Sequence, residues 1–158
     1  MNEETLETPN NNETLASRWQ RLWASILDTI TLMVVTLPIM YFTGIFDLLA
    51  EGKQPSLVYS LGIALAGIAF FVLINYKSLI TNGQTIGKKV LGIKIVDLNN
   101  TLPTGKILLT RYVAYFGFAQ IPIAGSLINI INILFVFGKE KRCGHDYIAK
   151  TKVIKADA

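Results

Sequence analysis

The chain has 158 residues, of which 51% are hydrophobic and only 16% charged, against about 25% charged in typical soluble domains. Its formal net charge is +4, but the bases lie beside apolar runs and lack the interleaved aromatic residues of a nucleic-acid surface. We therefore expect no nucleic-acid partner, and expect contact with the lipid bilayer and with anionic lipid at the cytoplasmic face.

Three long apolar stretches indicate an integral membrane protein. The first, Leu22–Phe46, contains Asp28 as its only charge, and the stretches 54–76 and 112–138 contain no charge. Each exceeds the roughly 20 residues that a helix needs to cross a bilayer. The first stretch begins too late and is too long for a cleaved signal peptide. The sequence thus predicts an all-α, polytopic helical bundle in a membrane.

The N-terminal part divides into a polar tail and a first span. Residues 1–14 are polar, acidic and rich in asparagine, which predicts disorder. The remaining residues 15–155 are expected to form a single transmembrane domain. Trp19 and Trp23 fall on a helical periodicity and suit an interfacial aromatic belt. The first span is expected at about 23–42.

The second span is expected at about 56–76, and a basic loop follows it. This loop, 77–111, has Asp97 as its only acidic residue. Its basic residues are Lys77, Lys88, Lys89, Lys94, Lys106 and Arg111. The positive-inside rule places the loop in the cytoplasm, and two spans then place the N-terminus on the same side.

Two short segments have the character of strands. The stretch VLGIKIVDLNN combines β-branched residues with the turn residues Asn99 and Asn100. The C-terminal stretch TKVIK is similar. We predict that these two segments pair in a small cytoplasmic β-sheet.

The last apolar run, about 104–137, allows two topologies. One straight span would place the basic C-terminal tail outside, against the charge bias. Pro122 and Gly125 could instead break the run near 121–125, giving a helical hairpin that keeps the tail in the cytoplasm. We favour the hairpin and keep a third full span as the alternative.

Asp28 is the first candidate for chemistry. A carboxylate inside a span costs roughly 2.5–3.5 kcal/mol unless it is paired or protonated. Arg21 lies on nearly the same helix face, about 10 Å away along the axis. We treat Asp28 as a cation or proton site. The alternatives are a structural ion pair with a base from another segment, or a carboxylate beside a water-filled vestibule.

The remaining candidates lie near the C-terminus. His145 is the only histidine, so a metal site is not expected. Asp146 is expected to act as a helix N-cap or as the partner of an arginine such as Arg111. Asn129 and Asn132 share a helix face and suit interhelical hydrogen bonds better than ion ligation.

No pattern in the sequence is typical of an enzyme. There is no Ser/His/Asp arrangement, no pair of catalytic carboxylates and no cofactor fingerprint, so we expect neither catalysis nor a cofactor. The stretch GQTIGKK has the wrong glycine spacing for a phosphate-binding loop and lacks its hydroxyl residue. It is better explained as a turn that enters a basic segment.

Three stretches, RWQRLWASILD, GQTIGKKVLGIKIVD and GHDYIAKTKVI, occur in this order. Together they resemble the RDD family of bacterial membrane proteins over about residues 16–155. The positions that carry the resemblance are Thr85, Gly87, Lys88, Gly92, Ile95 and Asp97, followed by His145, Asp146, Ala149, Thr151 and Val153. Lys150 stands where the family often has a small residue.

The family is named for one arginine and two aspartates. The resemblance implies that these are Arg21, with Arg18 as a competing choice, Asp28 and Asp146. It also implies a multi-pass protein of the bacterial inner membrane and points to transport. One hypothesis is therefore an oligomeric monovalent cation/proton antiporter. The other is a membrane anchor or accessory subunit that binds a partner or anionic lipid through its basic cytoplasmic face.

Overall fold

The computed structural model describes residues 14–119, 127–128, 131, 134–138 and 142–156. These residues form a mostly helical protein with one small two-stranded sheet. The helices and strands, in chain order, are α1 (Arg18–Phe42), α2 (Ile45–Ala50), α3 (Leu57–Asn82), α4 (Ile86–Val90), β1 (Ile93–Asp97), α5 (Gly105–Ala119), α6 (Gly144–Ile148) and β2 (Thr151–Lys155). A 3-10 turn, Phe135–Phe137, precedes α6.

Helices α1 and α3 are long and apolar enough to cross a membrane. Ser17 begins α1 by accepting a hydrogen bond from the backbone of Gln20, and the Gln20 side chain accepts one in return. Ser56 begins α3 by accepting from Tyr59 N. Most side chains of both helices face away from the rest of the protein, as expected for surfaces in contact with lipid.

The boundaries differ from the predicted spans in an instructive way. Helix α1 begins at the polar Arg18, before the apolar run, because the cap at Ser17 starts it there. Helix α3 continues beyond Tyr76 to Asn82, where Gly83 ends it in a left-handed conformation with φ 66°. Hydropathy detects the apolar part of a helix and not its polar ends.

Strands β1 and β2 pair antiparallel, with Ile95 opposite Val153. Leu15 forms a bridge to Ile154 on the other side of β2. The predicted pairing of the two segments is confirmed, while the side of the membrane on which the sheet lies stays a prediction. Thr14, the last residue of the predicted disordered tail, accepts a hydrogen bond from Lys155 N at 3.0 Å.

Asp97 closes the turn after β1. Its carboxylate accepts hydrogen bonds from Asn99 N at 2.8 Å and from the backbone and hydroxyl of Thr101 at 2.9 and 2.7 Å. Burial alone would raise the pKa of Asp97, but these hydrogen bonds lower it below its usual value. Asn100 takes the left-handed conformation that the predicted turn requires.

The buried core connects the sheet to the helices. Ile93, Ile95 and Val153 are almost fully buried from the sheet, and they pack with Ala24 of α1 and Leu108 of α5. Burying branched aliphatic side chains contributes about 1.5–3 kcal/mol each relative to exposure. The sheet is therefore packed against the ends of α1 and α5.

Several predictions concern parts of the chain that the structure does not describe. The tail 1–13, the break near 121–125, and the pair Asn129 and Asn132 all lie outside the described residues. Helix α5 covers nearly all of the predicted run from 104 to the expected break. The choice between a hairpin and a third full span stays a prediction.

Candidate functional site

A cavity of about 70 Å³ lies where α1, α5 and α6 meet the residues of α4. Its ionisable lining groups are Arg21, Asp28, Lys88, Arg111, His145 and Asp146, with Cys143 and two tyrosines beside them. Three permanently or normally cationic side chains therefore face two carboxylates. The cavity carries one net positive charge while His145 is neutral.

Asp146 is the more deeply buried carboxylate, with 1% of its surface exposed. One carboxylate oxygen accepts from Arg111 Nη1 and from Thr151 Oγ1. The other accepts from Arg21 Nη1 at 3.4 Å and from Cys143 N at 3.0 Å. Every part of this carboxylate is engaged by the protein itself.

The two arginines also bind other elements. Arg21 Nη2 donates to the carbonyl oxygen of Val153 at 2.9 Å, while its Nε is buried without a partner among the described residues. Arg111 Nη1 donates to Thr151 Oγ1 at 2.6 Å, and its Nη2 lies 3.2 Å from His145 Nε2. Asp146 thereby ties α1 and α5 to β2.

Arg142 strengthens the same connection from outside. It donates to the carbonyl oxygens of Thr151 at 2.9 Å and Asp146 at 3.1 Å, and its guanidinium stacks on the ring of Tyr147. The hydrogen bonds and ion pairs around Asp146 therefore hold the helices and the sheet together.

His145 and Cys143 are both uncharged at neutral pH. Burial, and then the nearby Arg111, lowers the pKa of His145 well below its usual value. Burial raises the pKa of the Cys143 thiol above its usual value, against the attraction of Arg21 and Arg111. Neither group therefore changes the charge of the cavity in the physiological range.

Cys143, His145 and Asp146 have ligand atoms within 4.8 Å of one another. This grouping suits a metal poorly, because Asp146 already accepts from two guanidinium groups. A divalent cation there would lie against those positive charges. The expectation that the chain holds no metal at His145 therefore stays a prediction.

Asp28 lies at the other end of the cavity and is 12% exposed. Its Oδ2 accepts a hydrogen bond from Thr85 Oγ1 at 2.6 Å and lies 3.6 Å from Lys88 Nζ. Its Oδ1 accepts from Gly87 N at 2.8 Å. The carboxylate thus has one cationic neighbour and two neutral donors.

Helix α4 presents these donors because its first turn is docked on α1. Thr85 caps α4 with its hydroxyl, and Asn75 of α3 accepts from Ile86 N at 2.8 Å. A Cβ at Gly87 would lie 2.2 Å from the carbonyl oxygen of Ala24. Only glycine allows α4 to approach α1 closely enough for Asp28 to reach its backbone.

Lys88 is the titratable member of this pair. Burial lowers its pKa from 10.5 to about 8, with Asp28 raising it and Arg111 lowering it. Lys88 can therefore gain or lose a proton near physiological pH, whereas an arginine cannot. The ion pair between Lys88 and Asp28 therefore loses its positive charge when Lys88 releases its proton.

The structure gives each sequence-predicted residue its partner. Asp28 pairs with Lys88 of α4, which is the ion pair with a base from another segment that the sequence left as an alternative. Arg21 also lines the cavity, and it binds Asp146. Asp146 does bind Arg111, one of the two expected roles. It is not the N-cap of α6, because it occupies the third helical position and accepts from the cap residue Cys143.

Arg18, the competing choice for the family arginine, lies apart from the cavity. It is exposed and donates a hydrogen bond to the carbonyl oxygen of Phe137 at 3.1 Å. Its guanidinium lies over the aromatic ring of Phe137. Arg21 is only 7% exposed and contacts an aspartate. Of the two arginines, Arg21 is the one that takes part in the buried cluster.

Sequence reasoning missed the roles of Thr85, Gly87 and Lys88. All three are in the stretch T-x-G-K, which combines a capping residue, a small residue and a base within four positions. That combination could have predicted the contact, because a capping residue followed by glycine is typical of a helix start that approaches another backbone closely.

Comparison with curated proteins and with solved structures gave no match. The family model described as the RDD family matches residues 15–150. The match includes Arg21, Asp28 and Asp146. The chain therefore belongs to the RDD family.

Proposed function

We propose that the protein exchanges a monovalent cation for a proton at the Asp28–Lys88 pair. The observation that carries this proposal is the position of the pair, which is largely buried and borders a cavity. A carboxylate next to a base of lowered pKa can hold either a protonated lysine or, once the lysine is neutral, another cation.

The exchange follows from charge. Protonated Lys88 occupies the field of Asp28 and repels a second cation, with Arg111 adding to the repulsion. When Lys88 releases its proton near pH 8, the carboxylate of Asp28 is left without its cation. A monovalent cation entering at that point restores the same net charge, so binding of the cation and the proton are mutually exclusive.

Oxygen ligands for such a cation are present on one face of α1. Ser25 and Thr29 line the cavity with Asp28, and their hydroxyls donate to the backbone, which leaves their oxygen lone pairs available. Thr85 Oγ1 lies 2.6 Å from the Asp28 carboxylate. Hydroxyl and carboxylate oxygens are the ligands that hard cations prefer.

The proposal also covers location and assembly. Two candidate spans and family membership support a membrane protein, and the charge bias favours a cytoplasmic N-terminus in the bacterial inner membrane. A chain of 158 residues has little room for a complete alternating-access pathway, so we propose a homo-oligomer. Labelling Lys155→Cys in a Cys143→Ser background with a membrane-impermeant thiol reagent tests the side of the tail.

The transport proposal is tested in proteoliposomes with a pH-sensitive dye. An imposed sodium gradient should drive proton movement with the wild type, and Asp28→Asn should abolish that movement. Lys88→Met should also abolish it, since the exchanged proton has no site. The matched control is Glu51→Gln, which removes a carboxylate that is 61% exposed and pairs with Lys53.

Two results would contradict the proposal. One is proton movement at the wild-type rate in Asp28→Asn. The other is the absence of exchange for sodium, lithium and potassium in a wild-type preparation that is shown to be folded. Circular dichroism of each variant separates loss of exchange from loss of structure.

The accessory-subunit hypothesis is supported by a separate observation. Four lysines are exposed on α4, α5 and the sheet region: Lys89, Lys106, Lys150 and Lys155. They would present a basic face to an acidic partner or to anionic headgroups if this side is cytoplasmic. Crosslinking in native membranes followed by mass spectrometry tests this second function, and adducts of the chain with itself alone would count against it.

A further inference from the structure

An apolar groove of about 310 Å³ lies between α3 and α5, apart from the charged cavity. Phe71, Leu79 and Leu108 line it and are buried. Its other side is open, and the exposed lining residues there are Val72, Tyr76, Ile80, Leu109 and Val113. Pockets that bind small ligands have volumes of roughly 300–1,000 Å³. The groove therefore has room for part of an apolar ligand.

Two exposed lysines lie at the same end of this groove. Lys77 follows the lining residue Tyr76 on α3, and Lys106 is the second residue of α5. Phe71 and Phe116 meet toward the other end, with 5.4 Å between their ring centroids. Neither helix contains an acidic residue. The groove is thus apolar along its length and positively charged at one end.

The length of the groove matches the depth of one membrane leaflet. Lys77 directly follows the uncharged stretch 54–76, which is the level expected for lipid headgroups. At 1.5 Å per residue, the lining residue Ile68 lies about 14 Å from Lys77 along α3, and Phe116 lies about 15 Å from Lys106 along α5. Half of a hydrocarbon core of about 30 Å is about 15 Å. A lipid tail that begins beside the lysines would therefore extend along the whole groove.

We propose that the groove binds one acyl chain of an anionic phospholipid, whose phosphate lies between Lys77 and Lys106. The two lysines complement the charge of the headgroup, and the apolar walls exclude any polar ligand from the rest of the groove. A second copy of the chain fits less well as the occupant. A two-fold symmetric contact through this groove would bring the lysines of both copies together.

This lipid site does not depend on the proposed cation exchange. Phe71, Tyr112 and Phe116 line both the groove and the charged cavity, so their rings form a wall between the lipid tail and Asp28. The proposal also goes beyond general attraction of anionic lipid to a basic face, because it assigns the tail to one groove and the headgroup to two lysines.

The test is native mass spectrometry of the purified full-length protein in detergent, without any ion gradient. Phosphatidylglycerol and phosphatidylcholine with identical acyl chains are added in turn. The wild type should retain one phosphatidylglycerol per chain and bind it about 30-fold more tightly than phosphatidylcholine, since each lysine near the headgroup contributes about fivefold. Because no transport is measured, this proposal and the cation-exchange proposal can fail independently.

A tryptophan placed in the groove tests the position of the tail. Val113→Trp should fill the open side and weaken binding of phosphatidylglycerol at least about tenfold, and Leu109→Trp should do the same. Val34→Trp is the matched control, because Val34 is 66% exposed on α1, Val113 is 61% exposed, and Val34 does not line the groove. Circular dichroism identifies which of these variants are folded.

Substitution of the lysines tests the position of the headgroup. The double variant Lys77→Met/Lys106→Met should bind the two lipids about equally, because the charge that distinguishes them is gone. Lys89→Met is the control, since it removes an exposed lysine of α4 outside the groove, and it should keep the wild-type preference.

The proposal is overturned if the wild type binds the two lipids equally, or if folded Val113→Trp or Leu109→Trp retains phosphatidylglycerol as the wild type does. Equal loss in Val34→Trp, or equal loss of preference in Lys89→Met, would also overturn it, because the binding would then not be located in this groove. A lipid-free dimer that Val113→Trp dissociates would show that a second copy occupies the groove instead.

Discussion

Two carboxylates share one cavity, and the protein treats them differently. Asp146 is 1% exposed and is held by two arginines, a threonine hydroxyl and a backbone amide. Asp28 is 12% exposed and has one lysine, one hydroxyl and one backbone amide. The first site is saturated with permanent cations, and the second has a single cation that can lose its charge.

The two sites show that a buried carboxylate behaves differently when its cationic partner is an arginine and when it is a lysine. An arginine stays protonated at every physiological pH, so its pair with a buried carboxylate is fixed. A buried lysine changes charge easily, so its pair with a carboxylate can open. We therefore interpret Asp146 as a residue that stabilises the fold, and Asp28 as the better candidate for the proposed cation exchange.

The largest effect is expected from Asp146→Asn. Removing this carboxylate leaves Arg21 and Arg111 buried without their counter-charge, and breaking a buried pair in this way costs about 3–5 kcal/mol. The variant should be scarce in membranes, and its unfolding temperature in detergent should be far below that of the wild type.

Asp47→Asn is the control for this loss, because Asp47 is exposed on α2. It should leave abundance and unfolding temperature unchanged. A stable and abundant Asp146→Asn protein would show that the arginine cluster does not stabilise the fold, and the contrast between the two carboxylates would disappear.

The next effect is expected from Gly87→Ala. The added methyl group would lie 2.2 Å from the carbonyl oxygen of Ala24 and 2.9 Å from Asp28 Oδ1. Helix α4 must then move away from α1, and overpacking of this kind costs about 1–3 kcal/mol. Both the unfolding temperature and cation exchange should fall.

Gly62→Ala provides the comparison for this substitution, since a Cβ at Gly62 meets nothing within 4 Å. Alanine there should be neutral or slightly stabilising, because it favours the helix. Equal behaviour of the two variants would mean that close approach of α4 to α1 is not needed.

Much of the fold follows from local pattern. The apolar runs predict α1 and α3, and the β-branched residues of IKIVD and TKVIK predict the two strands that pair. The contact of Asp146 with Arg111 also follows from charge, because a buried carboxylate near a basic segment needs a cation. These features depend on neighbours in sequence or on composition.

The Asp28 site could not be predicted in the same way. Its partners Thr85, Gly87 and Lys88 are almost 60 residues away, and they reach it only because α4 docks on α1. The seven-residue spacing predicts that Arg21 and Asp28 lie on nearly the same face of α1, and both line one cavity. The spacing does not reveal that the Arg21 side chain extends toward the sheet, where it donates a hydrogen bond to the carbonyl oxygen of Val153.

A smaller effect, dependent on pH, is expected from Asp28→Asn. Asparagine keeps an acceptor for Gly87 N but loses the attraction to Lys88, so the cost should be about 1 kcal/mol at neutral pH. In the wild type Lys88 has a pKa of about 8 when folded and 10.5 when unfolded. The unfolded chain therefore binds more protons between these values, and stability rises with pH across this window.

The deficit of Asp28→Asn should shrink above pH 8, because Lys88 is then neutral in both proteins and the lost attraction no longer counts. Unfolding temperatures of the two proteins measured from pH 6 to pH 10 test this convergence. The groups that act on Lys88 are Asp28 of α1, Arg111 of α5, the thiol of Cys143 and the hydroxyl of Thr85, the cap of its own helix. A deficit that stays constant with pH would mean that Lys88 does not titrate in this range.

The smallest effect is expected from Glu51→Gln, which extends the comparison to a third carboxylate. Glu51 and Lys53 form an ion pair of 2.6 Å, but they are 61% and 65% exposed. Exposed pairs contribute about 0.2–1 kcal/mol and weaken with salt. The unfolding temperature should change little, and the change should vanish in high salt. If Glu51→Gln destabilised the protein as much as Asp28→Asn does, burial would not be what separates the three carboxylates, and the distinct role of Asp28 would lose its physical basis.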